Sequence, residues 1–233
     1  GIAQHVAAEV QAALTPEDEA RLAAEPTTNT EAYEEYLKGR FFWSTRSAQG
    51  LETAIGHFQR AIGLDSTFAL AHSGLADCYT LLTYYSADVD PTEMFRLGEE
   101  AAQEAIRLAP DLAAAHASLG YLRLLSRRDW TGAEQSLRYA IHLDPTYPPA
   151  HHWLADLLTD SGRFEEAYGE GQRAIELDPT YFFPVMVQGW VRLDVGQVQE
   201  AIPFLERSRT LGAPPFVTAF LAFAYGVSGD RAR

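Results

Sequence analysis

The chain has 233 residues, 47% of them hydrophobic, which is ample for a continuous core. Its 18 basic against 32 acidic residues leave a net charge of −14, and this argues against a nucleic-acid partner, because phosphate binding rests on clustered lysine and arginine. One cysteine, Cys78 in the apolar stretch LADCYT, excludes an internal disulfide framework and any multi-cysteine zinc site.

Cys78 reads as a small buried residue, and its solitude suits a reducing compartment, so a cytoplasmic location is expected. No apolar run approaches the ~18–20 residues of a membrane span. The longest candidate, Phe220 to Val227, is far too short, and no membrane partner is expected. The chain opens at GIAQHV and stops at GDRAR inside a helical pattern, which reads as an excerpt of a longer protein.

Residues 1–27 stand apart. Ile2, Val6, Val10 and Leu14 recur at four-residue steps, an amphipathic stripe, and Thr15-Pro16-Glu17-Asp18 reads as an N-cap, a proline at the first helical position and an acidic first turn. This segment is expected to be the helical tail of an upstream domain or a cap on residues 28–233.

Residues 28–233 are organised by a repeated marker. GLDST, RLAPD, HLDPT and ELDPT put Ser66, Pro110, Pro145 and Pro179 in register at spacings of 44, 35 and 34 residues. A unit of about 34 residues with one insertion of about ten fits. Units are expected at 30–66 in degenerate form, then at 68–110, 112–145, 147–179 and 181–213, with half of another after Pro214. Proline punctuates them because it cannot continue a helix and biases the residue before it away from helical geometry. The insertion, LLTYYSADVDPTEMF, restarts a helix at Asp90-Pro91-Thr92-Glu93. Asp88 and Asp90 there lack the glycine and distal glutamate of a calcium loop, so they read as a turn.

The positions between markers alternate in size. Five residues before the marker stand Ala61, Ala105, Ala140 and Ala174; twelve before stand Ala54, Gly98, Ala133 and Ala167; ten after come Ala76, Gly120, Ala155 and Gly189. Small residues at helical spacing let two facing helices approach closely. Nine after the marker, Leu75, Leu119 and Leu154 supply bulk in three units of four, with Gln188 in the fourth. Ser161-Gly162 and Val195-Gly196 then mark turns between helices.

This pattern resembles the tetratricopeptide repeat, two antiparallel helices per unit stacked into a superhelix. The resemblance implies an all-α solenoid of about a dozen helices, and residues 14–43 (LTPEDEARLAAEPTTNTEAYEEYLKGRFFW) resemble the entry into such arrays in bacterial multidomain signalling proteins. It further implies that the first helix of each unit lines a concave groove for a peptide or a partner domain. Counted from the marker, seven residues on gives Ser73, Ala117, His152 and Met186, and eleven on gives Asp77, Tyr121, Asp156 and Trp190. The expected partner-binding residues are therefore Asp77, Tyr121, His152, Asp156, Met186 and Trp190, and aromatics paired with carboxylates suit a partner carrying arginine or lysine. A family variant that clamps a terminal carboxylate uses paired asparagines, whereas this chain has only Asn29, outside the groove.

His72, His116 and His151 fall six residues after their markers, on the stripe of small residues, which points to packing rather than to a metal. His152, with Asp156 and Asp160 at four-residue steps, reads as a polar stripe with no completed ligand set. No metal or cofactor is expected. No G-x-S-x-G, H-E-x-x-H or P-loop is present, and the pairs Glu99-Glu100 and Glu165-Glu166 read as solvated helix faces. Arg127-Arg128 beside Trp130 is a single basic dipeptide on an acidic chain. The expected function is non-catalytic protein binding within a larger regulatory protein, with homo-oligomerisation as the alternative.

Overall fold

The computed structural model describes residues 27–213 and 216–229. The stripe Ile2, Val6, Val10 and Leu14 and the cap at Thr15 lie outside the described residues. Among the described residues there are eleven α-helices and no strand. Five hairpins follow one another: α1 (Thr30–Ser44) with α2 (Ala48–Leu64), α3 (Ala69–Tyr85) with α4 (Pro91–Leu108), α5 (Ala113–Arg127) with α6 (Trp130–Leu143), α7 (Pro148–Asp160) with α8 (Phe164–Leu177), and α9 (Phe182–Asp194) with α10 (Val198–Thr210). A single helix, α11 (Val217–Ser228), packs on the last hairpin. The first helices α1, α3, α5, α7, α9 and α11 touch one another in series, so they share one face of the stack.

Local chemistry sets the helix ends. Asn29, Ser47, Asp90 and Asp129 cap α1, α2, α4 and α6 with side-chain oxygens on free backbone N–H groups. The marker is a turn with its own lock. Asp65, Asp144 and Asp178 each accept through Oδ1 from the backbone and hydroxyl of the threonine two residues on. The histidine six residues past the marker then closes on the marker's own carbonyl. His72 meets the Ser66 carbonyl at 3.2 Å, His116 that of Pro110 at 2.7 Å and His151 that of Pro145 at 3.0 Å. These three imidazoles are pins that hold each turn to the helix after it.

The small residues do what their spacing demands. A Cβ on Gly98 would lie 3.4 Å from the Ala76 carbonyl, one on Gly120 3.1 Å from that of Ala133, and one on Gly189 3.4 Å from that of Ala201. The same contact recurs in three hairpins, which is why the two helices of each can run so close. In the first hairpin a ring replaces it: Phe58, fully buried, lies between Gly39 and Gly74. Burying that ring stabilises by about 1.5–3 kcal/mol. The ten-residue insertion lengthens α3 and α4 to 17 and 18 residues, against 13 and 14 for α7 and α8. It adds one turn to each helix and a longer connection at 86–90, and Asp90 caps the restart as expected.

Candidate functional site

The first helices enclose a groove of about 820 Å³. Its walls come from the C-terminal halves of α3, α5 and α7 and from α9, with Arg46 and Ala48 at one side and Phe216 at the other. Leu81, Leu124, Leu125, Met186 and Val187 make an apolar floor, Tyr84, Tyr85, Tyr121, Phe183, Trp190 and Phe216 an aromatic lining, and Asp156, Asp160 and Asp194 the acidic groups. Tyr84 is 64% exposed and Trp190 39%. Tyr121 is held by stacking on buried Trp153, centroids 4.8 Å apart and 10° from parallel, and Trp190 rests against Phe220 at 4.9 Å.

The field inside is negative. Burial pushes the Asp160 carboxyl above its ordinary pKa, neighbouring Asp156 and Asp194 add to that, and Arg128 opposes it. Burial, Asp156 and Asp160 raise Tyr84 against Arg128, and burial with Asp156 raises Tyr121 well above its ordinary value. Among the described residues Asp160 and Asp194 have no ion-pair partner.

Four of the six expected contact residues, Tyr121, Asp156, Met186 and Trp190, line this groove. Asp77 and His152 do not: each is only 2% exposed. Asp77 Oδ1 accepts from the Ser118 hydroxyl at 2.5 Å, Ser73 lies 3.0 Å from that hydroxyl, and Asp77 Oδ2 faces Arg40 at 3.8 Å, beyond hydrogen-bond reach. His152 Nδ1 bonds the Tyr181 hydroxyl at 2.8 Å, and Nε2 stands 3.3 Å from Asp156 without the alignment of a hydrogen bond. The reason is that side chains from neighbouring helices, Ser118 and Arg40 at Asp77 and Tyr181 at His152, close over both positions. Fifteen residues after each marker stand Leu81, Leu125, Asp160 and Asp194, and all four are groove residues. Extending the offset count by one helical turn would have found them.

At the filled end stands Arg46, 3% exposed and carried on a left-handed backbone at φ 50°. Its guanidinium lies 3.6 Å from the Trp43 ring centroid and 5.0 Å from that of Phe183, and donates to the Tyr181 hydroxyl at 3.0 Å. The first hairpin thereby touches the start of the fifth. The carboxylate pairs outside the groove are engaged in surface ion pairs: Glu100 with Arg96, and Glu166 with Arg163 and Arg138.

Stacked helical hairpins with a groove along their first helices define an α-α solenoid. Residues 124–181 match the tetratricopeptide repeat family. No curated protein matches it in sequence. Among solved structures it is similar to a thermophilic TPR protein of Thermus thermophilus, at 15% identity and TM-score 0.65, over 83% of this chain and 98% of that one. It is likewise similar to PilW, a widely conserved type IV pilus biogenesis factor, at 15% identity and TM-score 0.61, over 86% and 87%. These likenesses establish the all-helical fold.

Proposed function

We propose that the chain is a non-catalytic scaffold that binds a segment of a partner protein in its concave groove, as one part of a larger signalling or regulatory protein in the cytoplasm. The groove itself carries this reading. It is large, apolar at its floor and aromatic on its walls, and all five hairpins contribute to it. The regulatory setting is supported by the resemblance of residues 14–43 to the entry of such arrays. Peptides selected from a random-sequence library test the groove. Thr159→Trp would fill it with an indole, and binding should fall at least about tenfold while the helical signal and melting temperature hold. Affinity indifferent to that substitution removes the reading.

Self-association is the second reading, favoured by α11, where Phe223 and Val227 are each 57% exposed. Phe220 on the same helix packs on Trp190 and is not part of that exposed face. Phe223→Ser should shift a dimer mass in light scattering toward monomer; a wild-type monomer at high concentration ends this alternative.

A further inference from the structure

We propose that the open end of the groove is an arginine subsite, in which the face of Trp190 receives the guanidinium of a partner protein's segment and Asp194 and Asp160 receive its N–H groups. This rests on the groove being the binding site, and adds which side chain it selects. The chain already shows how its groove treats an arginine. Arg46 is stacked on Trp43, faces Phe183 and donates to Tyr181, and it lines the same groove. At the other end an indole is paired with carboxylates, and among the described residues no guanidinium lies over it.

The parts there suit a planar cation. Trp190 is 39% exposed and braced from one side by Phe220, so its free face needs no ordering on binding. Asp194 follows Trp190 by four residues on α9 and both face the groove. Asp160 and Asp194 are the last residues of α7 and α9, whose helix ends add negative potential. The mutual push among Asp156, Asp160 and Asp194 shows that the carboxylates feel one another, and a cation relieves it. Arg128 opposes only part of that charge. A guanidinium serves better than an ammonium because it stacks flat on an indole and offers a fork of donors to two carboxylates. The apolar floor calls for aliphatic residues beside the arginine, so the occupant is an arginine flanked by leucine-like side chains.

Three synthetic nonapeptides test this, identical leucine- and alanine-based sequences with arginine, lysine or the uncharged isostere citrulline at the centre. Titration into the whole chain should show the arginine peptide binding most tightly, lysine weaker, and citrulline at least about tenfold weaker than arginine. The double variant Asp160→Asn with Asp194→Asn should bring the arginine peptide down to the citrulline level while leaving citrulline binding unchanged. Unaltered melting and near-ultraviolet dichroism would show that the variant is folded. Equal affinity for arginine and citrulline overturns the subsite and leaves the scaffold reading standing. An arginine preference that survives the double variant overturns it also, because the selectivity then arises elsewhere. Failure of all three peptides to bind overturns it too, and the scaffold reading then stands or falls on Thr159→Trp.

Discussion

Asp77 is buried beside Arg40 yet lies too far from it for a hydrogen bond. Burial therefore dominates, and its carboxyl is pushed up to about 6, with Arg40 and Ser118 offsetting part of the rise. In the unfolded chain the same proton leaves near 3.8. The native state therefore holds that proton longer as pH rises, and this group's contribution to stability declines from about pH 4 to about pH 6 and is level above. Asp77→Asn should remove that decline. The stability of the variant relative to wild type, from urea melts, should increase across this window by on the order of 2–3 kcal/mol. Comparing the two proteins cancels the opposite slope of surface glutamates such as Glu93 and Glu104, whose ion pairs lower them. Glycines offer a second contrast at this scale. At Gly169, with open space around its Cβ direction, alanine should stabilise by about 0.5–1 kcal/mol through helix propensity. At Gly120 the new Cβ would come within 2.8 Å of Leu137, and overpacking of about 1–3 kcal/mol outweighs the same propensity gain. Opposite signs in paired melts are the expected result.

At the scale of the element, the repeat signal translated directly into structure. The register of Gly98, Gly120 and Gly189 foretold the close helix contacts, because a side chain of no volume has few other uses inside a helix. The histidine pins were legible as structural, though their acceptor was not, since nothing in the spacing says that an imidazole folds back onto the marker carbonyl. The groove was legible only in part. Offsets found Tyr121, Asp156, Met186 and Trp190 because these follow helical geometry, and they misplaced Asp77 and His152 because burial there depends on partners far away in sequence, Arg40 and Tyr181. Phe183 and Arg46 belong to no repeated pattern and could be located only in space. The marker turn itself can be tested. Asp178→Ala removes both bonds from Thr180 and should cost about 1 kcal/mol, with faster amide exchange in the first turn of α9 and none of that change in α5.

For the whole molecule, a repeat array ordinarily couples only neighbours, so its stability is a chain of local terms. The Arg46 to Tyr181 bond spans 135 residues and skips three hairpins. Arg46→Ala should therefore do more than remove a cation from Trp43. It should lower stability by about 2–3 kcal/mol, increase the radius of gyration in solution scattering and separate the unfolding of α1–α2 from that of α9–α10. A single unchanged transition with unchanged size would show that the two ends are already coupled through the intervening hairpins. Under mechanical load the same bond has a further effect. An open solenoid gripped at its ends lengthens gradually, like a coil spring, before any helix is lost. This one is fastened across its hollow side, so tension reaches Arg46 and Tyr181 first, and the coil should stay stiff until that fastening gives way in one abrupt step and only then extend.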